Sequence, residues 1–247
     1  MPKHRKIMDV AAVKEIEVTA SWKQVGKRGA TRAKNMNPTP PDQQERNYWY
    51  ARRRLSHIIN ANFKHKDLFF TLTHSRKNIS YDEAIKLLRK FLRDIRTIRE
   101  KRNMPPLKYV VVTEKTFNEK KHYHHHIIMN RMSIEEVNDV WGDNGIVISS
   151  PLRPGEFTGL AHYLTKEPPI KNRKRWNQSK GLIIPKPKYE PLKPGDLTEA
   201  PIRTPRGYRK VYSKVAYYEE IGLYKYAKFV KNGEVDLSTG TDEVLEE

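Results

Sequence analysis

Apolar residues recur along the chain at two spacings, and these spacings predict the order of helices and strands. Spacings of three and four from Tyr48 to Ile59 predict a helix over residues 42–62. The same spacings from Ile85 to Ile98 predict a second, longer helix. Runs rich in β-branched and aromatic residues predict strands between the helical segments. After the first helix the predicted order is strand, helix, strand, strand, helix, strand, helix. The predicted strands are 68–74, 108–114, 122–130 and 145–149. The predicted helices begin near Ser80, Ser133 and Thr158.

This alternation predicts an α+β domain, in which a sheet carries helices on one face. We assign the domain to residues 42–170, including its N-terminal helix. The flanking sequence lacks these spacings over most of its length. There we expect a basic, partly flexible arm at 1–41, a Pro-rich basic extended segment at 171–210, and a strand, a helix over 219–230 and an acidic tail within 211–247.

The net charge of the chain indicates which classes of molecule it binds. Its 48 Lys and Arg residues outnumber its 29 Asp and Glu residues, giving a formal net charge of +19. Such an excess favours an anionic partner, and nucleic acid is the one we expect. A membrane is not expected, because no basic amphipathic helix or lipidation signal stands out. The chain has no Cys, which excludes thiolate metal ligands and predicts a cytoplasmic location.

A run of histidines forms the first candidate site. The sequence His-Tyr-His-His-His-Ile-Ile-Met follows a β-branched run that ends in Glu114. Side chains alternate between the faces of a strand, so His124 and His126 share one face while His125 points the other way and packs. Two imidazoles facing a carboxylate on a neighbouring strand suit a divalent metal ion, with Mn or Mg expected and Zn as an alternative. His122 with His124 is the competing pair of ligands.

The second candidate lies on the short helix that begins near Thr158. Tyr163 and Lys166 are three residues apart, so the phenol and the ammonium group share one face of the helix and can contact the same anion. A phenol is a weak nucleophile unless a cation or a base favours its ionised form. Lys166, the metal or both can provide that help. The alternative is a half-buried Tyr next to a solvated Lys.

Cations interleaved with one aromatic ring follow this helix. A single DNA strand suits such a segment, since the indole can stack on a base while the cations neutralise phosphates. The alternative is a solvated linker. The predicted nucleic-acid contacts are Lys171, Arg173, Lys174, Arg175, Trp176, Lys180, Lys186 and Lys188.

Three short motifs occur in order: Phe70-Thr-Leu-Thr-His74, His124-His125-His126 and Tyr163-Leu-Thr-Lys166. With them the chain resembles the rolling-circle replication initiators of plasmids and phages, in the HUH endonuclease superfamily. It looks most like the phage-type replication-associated proteins of Gram-positive bacteria and their mobile elements. The central His of the second motif departs from the usual bulky hydrophobe. The third motif carries a single Tyr, so a two-tyrosine strand-transfer cycle within one subunit is not expected.

The resemblance implies a ferredoxin-like, RNA-recognition-motif-like fold with a central antiparallel sheet. It implies that His124, His126 and Glu114 bind the metal and that Tyr163 is the nucleophile, assisted by Lys166. The implied reaction is nicking and joining of single-stranded DNA through a 5′-phosphotyrosine, which initiates rolling-circle replication. The expected partners are single-stranded DNA, an origin hairpin, and the host helicase and polymerase. The alternatives are a relaxase or single-strand transposase of the same superfamily, and a DNA-binding protein without catalysis.

Overall fold

The computed structural model describes residues 4–19, 41–76, 78–116, 122–168, 170, 173–219 and 222–233. Within them, two five-stranded antiparallel sheets combine with four α-helices, so the predicted α+β class is confirmed. The strands are β1 (His4–Val10), β2 (Val13–Thr19), β3 (Leu68–Thr73), β4 (Tyr109–Thr116), β5 (His122–Met129), β6 (Val147–Pro151), β7 (Asn177–Gln178), β8 (Lys188–Pro191), β9 (Tyr208–Tyr218) and β10 (Gly222–Lys231). The helices are α1 (Pro41–Asn62), α2 (Tyr81–Lys101), α3 (Ile134–Trp141) and α4 (Thr158–Tyr163). None of these helices is both long and apolar enough to span a membrane.

The central sheet has the strand order β6-β3-β5-β4-β7. Its middle strand, β5, pairs with β3 on one side and β4 on the other. Phe70 and Ile127 are partners across β3 and β5 and point to one face, while Val110 and Ile128 are partners across β4 and β5 and point to the other. Since both rows are apolar, both faces of the sheet are buried.

Helices α2 and α3 cover the first face. A capping box fixes the start of α2: Glu83 donates its backbone N–H to the Ser80 hydroxyl, and its carboxylate accepts the Ser80 backbone N–H. The apolar stripe of α2 then packs with the indole of Trp141 from α3 onto the sheet. The buried members of this stripe are Ala84, Leu88, Phe91, Leu92 and Ile95.

Helices α1 and α4 cover the second face, so the prediction of helices on one face only is wrong. Leu55, Ile58 and Ile59 of α1 pack with Ala161 of α4 over this face. The physical reason is the alternation within β4 and β5, which carry apolar side chains on both sides and therefore need cover on both.

The second sheet has the strand order β8-β1-β2-β10-β9. Residues 4–19, predicted as part of an arm, instead form the β1–β2 hairpin. The helix predicted over 219–230 is wrong, because residues 222–231 are strand β10. This strand pairs with β2 and β9 over almost its whole length, and pairing with distant strands overrides the helix-like spacing of its apolar residues.

Helix α1 joins the second sheet to the central one. Arg53 donates to Glu15 and to Glu17, both on β2, at 2.6 to 2.8 Å. Its guanidinium also lies between the rings of Trp49 and Tyr226, 4.3 and 4.6 Å from their centroids. One face of α1 thus packs on the central sheet, while Arg53, near the middle of the helix, is held by carboxylates of the second sheet.

The Pro-rich segment is extended, as predicted, but it is packed rather than free. Strand β7 adds to the edge of β4, Leu182 is buried against α1, and β8 adds to the edge of β1. The segment therefore connects both sheets. Lys171, residues 20–40 of the predicted arm and the acidic tail from Glu234 onward lie outside the described residues.

Candidate active site

The strand register brings the predicted metal ligands to one edge of the central sheet. His124 lies directly opposite Glu114 on β4 and Thr73 on β3. His126 is two residues further along β5, so it points to the same face, which is the face covered by α1 and α4. The side chain of His122, the competing ligand, is outside the described residues.

Hydrogen bonds orient the ring of His126. Its Nδ1 lies 2.9 Å from the hydroxyl of Thr71 on β3, and its Nε2 lies 3.2 Å from Oε2 of Glu114. The second carboxylate oxygen, Oε1 of Glu114, is buried and has no hydrogen-bond partner among the described residues. An unpartnered buried carboxylate oxygen is unfavourable unless a cation or a donor completes it.

His125 occupies the opposite face and is fully buried. Its Nδ1 lies 2.9 Å from the Thr113 hydroxyl and its Nε2 lies 3.0 Å from Nε2 of His74. Burial, together with the neighbouring His74, lowers the pKa of His125 to about 3, so its ring is neutral at physiological pH. A neutral His can replace a hydrophobe here because both ring nitrogens have partners.

Tyr163 brings α4 to this site. Its ring lies 5.5 Å from the ring of His126 and 6.0 Å from that of Phe69, centroid to centroid, and it remains 42% exposed. Lys166 follows the helix, and its Nζ lies 4.7 Å from the centre of the Tyr163 ring. The phenol, an ammonium group and the His126–Glu114 pair therefore converge from separate parts of the sequence.

The donors fit a divalent ion in part. Within the described residues, no three His, Asp or Glu side chains are close enough together to form a ready-made metal centre. Glu114 and His126 are already adjacent, however, and the open Oε1 of Glu114 is the kind of ligand that Mn²⁺ and Mg²⁺ take. Thr71 occupies Nδ1 of His126 and so leaves Nε2 directed at this carboxylate.

Residues 67–168 match the family model described as Replication-associated protein ORF2/G2P. This part of the chain, called the replication-associated domain below, is similar to the proteins that this family model describes. The match covers β3 through α4 and includes all five predicted catalytic and metal-binding residues. A role in initiating replication follows for the chain, and with it contact with DNA. No curated protein and no solved structure gives a significant match.

Only part of the basic segment that follows the replication-associated domain faces solvent freely. Arg175 stacks on Tyr48 of α1 at 4.2 Å and approaches the Thr165 carbonyl oxygen at 3.4 Å. Arg173 stacks on Tyr81 at 4.5 Å. Trp176 is partly buried against α1 and α4 and donates to Gln178. Lys174, Lys180, Lys186 and Lys188 are exposed.

A small pocket lies beside Glu114, between the replication-associated domain and this segment. Glu114, Leu164 and Tyr81 line it together with Arg173 and Lys174. The structure thus brings three of the predicted DNA-binding cations, Arg173, Lys174 and Arg175, to the pocket that Glu114 lines. Lys180, Lys186 and Lys188 do not line this pocket.

Two residues of the replication-associated domain were not predicted as part of the site. Thr71 and Phe69 precede the histidine strand in sequence, yet they contact His126 through its Nδ1 and through the face of its ring. Alternation along β3 indicates that they share a face. Only the register between β3 and β5 assigns that face to His126, and the sequence does not contain the register.

Proposed function

We propose that the chain nicks and rejoins single-stranded DNA at this site, with Tyr163 as the nucleophile and a divalent metal ion as cofactor, to initiate rolling-circle replication. The observation that carries the proposal is the contact of the exposed Tyr163 ring with the ring of His126, which is itself paired with Glu114. A surface Tyr without a catalytic role does not require a His–carboxylate pair close to it. A nucleophile does, because the phosphate that it attacks must be held and polarised nearby.

Glu114, His124 and His126 would hold the metal. When bound, the ion would supply Lewis-acid polarisation of the phosphate and help to orient it. Thr71 fixes the tautomer and the angle of the His126 ring through Nδ1. Lys166 adds a positive charge beside the phenol, which attracts the phosphate.

In the proposed step, the phenolic oxygen of Tyr163 forms a bond to phosphorus. The bond between that phosphorus and the 3′ oxygen of the preceding nucleotide breaks, and its electron pair leaves with the oxygen. The phenol releases its proton to solvent, and the departing oxygen takes up a proton to become a 3′ hydroxyl. The products are a 5′-phosphotyrosine and a free 3′ end that can prime synthesis. The reverse reaction joins the ends.

The test uses labelled single-stranded oligonucleotides that tile the locus encoding the protein, incubated with the protein and Mn²⁺ or Mg²⁺. A denaturing protein gel then separates covalent adducts from free DNA. We expect a label on the wild-type protein that needs the metal. Tyr163→Phe removes the nucleophilic oxygen but keeps the ring contacts, so it should bind the same DNA and form no adduct.

Tyr189→Phe is the matched control, since Tyr189 is an exposed Tyr on β8 of the second sheet. It should form the adduct at the wild-type rate. An adduct of unchanged yield with Tyr163→Phe would exclude this residue as the nucleophile. DNA binding without any adduct across the whole locus would favour a DNA-binding protein that does not cleave.

A further inference from the structure

An open groove runs along the N-terminal half of α2, on the face of the central sheet opposite Tyr163. One wall is α2, and the other is formed by the turns around residues 74–76 and 143–144. Gly145 allows these turns to meet, since a Cβ at this position would lie 2.1 Å from the carbonyl oxygen of Thr73. Hydrogen bonds from Thr73 to Ile146 and from Ser75 to Asn144 hold the wall together.

The groove is strongly basic. Two acidic residues, Glu83 and Asp143, line it against five cations, namely Arg76, Lys86, Arg89, Lys90 and Arg93. The carboxylate of Glu83 already accepts hydrogen bonds from Ser80 and Arg76.

Several cations of the groove have no carboxylate of their own to balance their charge. Lys90 and Arg93 share the single carboxylate of Asp94, at 2.8 and 3.8 Å. Lys86 and Arg89 form no ion pair within the described part of the chain, and both are exposed. Cations that face one groove without counter-charges attract an anion of similar extent.

The lining favours a phosphate backbone over unpaired bases. Among the described residues of the groove the only aromatic ring is His74, which is buried. Surfaces that hold single strands combine cations with exposed aromatic rings on which bases stack. A surface that offers cations alone suits the outside of a duplex, where phosphates are accessible and bases are stacked inside.

The groove and the candidate active site reach the same edge of the central sheet. His74, in the groove, directly follows Thr73, the last residue of β3. Thr73 is the cross-strand partner of His124, and His124 is the partner of Glu114. DNA that continued from the groove to the site would therefore pass around this edge, from one face of the sheet to the other.

We infer that the α2 groove binds the phosphate backbone of duplex DNA and that the junction between duplex and single strand lies at the sheet edge of Thr73, His124 and Glu114. The stem of a hairpin would lie on the α2 face while its single-stranded extension reaches Tyr163. This inference rests on the proposed action on single-stranded DNA and adds how the substrate is oriented.

The test compares two labelled probes by fluorescence anisotropy: a DNA hairpin with a single-stranded tail, and the tail alone. The double variant Lys86→Ala, Arg89→Ala should weaken hairpin binding about tenfold. It should also make the negative slope of log K for association against log salt shallower by about two, since each lost phosphate contact removes about 0.9 from its magnitude. Binding and cleavage of the tail alone should stay at wild-type levels.

The matched control is the double variant Lys64→Ala, Arg131→Ala. It removes the same charge from two exposed cations at the opposite end of β3 and β5. It should leave the hairpin affinity within about twofold of wild type. Unchanged hairpin binding by the groove variant would overturn the inference, and so would an equal loss of affinity for hairpin and tail. The absence of a covalent adduct on the tail would instead count against the proposed cleavage.

Discussion

Two carboxylates in this protein, the buried Glu15 and the partly buried Glu114, each lie next to a His, and their surroundings differ. In the central sheet, Oε2 of Glu114 lies 3.2 Å from Nε2 of His126. At the second sheet, Oε2 of Glu15 lies 3.1 Å from Nε2 of His57. Glu15 also accepts two hydrogen bonds from Arg53, whereas Oε1 of Glu114 has no partner among the described residues.

Under the proposed function, this difference separates a structural pair from a pair that binds a ligand. Arg53 and His57 hold the pKa of Glu15 down to about 2, although burial by itself raises it. A carboxylate that the fold already neutralises has little left to offer a metal ion. Glu114 keeps an oxygen without a partner among the described residues, next to a His that contacts Tyr163, and under the proposed function this oxygen binds the metal. Spacing and residue type alone do not reveal this contrast.

Replacement of Glu15 should give the largest change in stability. Glu15→Gln removes the charge that faces Arg53 within the buried contact of α1 with β2. Breaking a buried ion pair on one side typically destabilises a protein by about 3–5 kcal/mol. Urea unfolding should detect this loss, whereas the adduct yield per folded molecule should not change. Glu190→Gln is the control, because its contact with the exposed Lys188 is screened by solvent and should contribute little to stability.

Acid should weaken the same pair progressively. Glu15 has a pKa of about 2 in the folded protein and about 4.5 in the unfolded chain, so the unfolded state binds the extra proton between these values. Its contribution is complete above pH 4.5 and is lost as the pH falls to 2, a total of about 3 kcal/mol. Urea unfolding across this range should show a shallower pH dependence for Glu15→Gln. If the free energy of unfolding depends equally on pH in wild type and in Glu15→Gln, ionisation of Glu15 does not cause the loss of stability in acid.

Replacement of Glu114 should affect catalysis and spare stability. Glu114→Gln keeps the shape of the side chain but removes the negative charge that a metal would bind. We expect adduct formation at limiting Mn²⁺ to fall about 100-fold, a change of about 2.7 kcal/mol in the barrier. The free energy of unfolding in chelator should stay within about 1 kcal/mol of wild type, since this carboxylate is incompletely paired in the fold.

Thermal unfolding with and without Mn²⁺ separates a binding role from a structural one. Wild type should gain stability with the metal, because a ligand that binds only the folded state shifts the equilibrium towards it. Glu114→Gln should lose most of that gain, whereas Glu15→Gln should keep it despite its lower starting stability. A metal-dependent gain of wild-type size in Glu114→Gln would remove Glu114 from the proposed ligands.

Much of the central sheet and its helices could be predicted, because the sequence patterns that determine them involve residues close together in the chain. The capping box at Ser80 and the apolar stripe of α2 determine that helix within a few residues of its observed bounds. Alternation along β5 correctly separates His125 from His124 and His126. The order of the motifs indicated a replication-associated protein, and residues 67–168 match the model of such a family.

The second sheet could not be predicted, because its stability depends on distant partners. Residues 4–19 carry many charges and resemble an arm when they are considered alone. In the fold, β2 pairs with β10 from the other end of the chain, and its glutamates pair with Arg53 of α1. Such charges favour a strand only when their counter-ions are present. The sequence did not predict that Trp176 packs against the apolar cluster under α1 and α4, or that Arg175 contacts Tyr48 of α1 and Thr165, because these partners are also distant in sequence.

The smallest expected effect concerns the ring of His126. Thr71→Val keeps the shape of the side chain but removes the hydroxyl that lies 2.9 Å from Nδ1. With a metal at Nε2, this hydroxyl accepts the Nδ1 proton and fixes the ring, and loss of such an outer contact usually weakens metal binding 10-fold to 100-fold. We expect about a tenfold higher Mn²⁺ concentration for half-maximal adduct formation, with the same maximal rate.

Thr113→Val is the matched control, since its hydroxyl bonds His125 on the opposite face. It should lower stability slightly and leave the Mn²⁺ dependence unchanged. If both variants shift the Mn²⁺ dependence equally, the two faces of β5 do not divide the roles of its histidines in the way that the hydrogen bonds indicate.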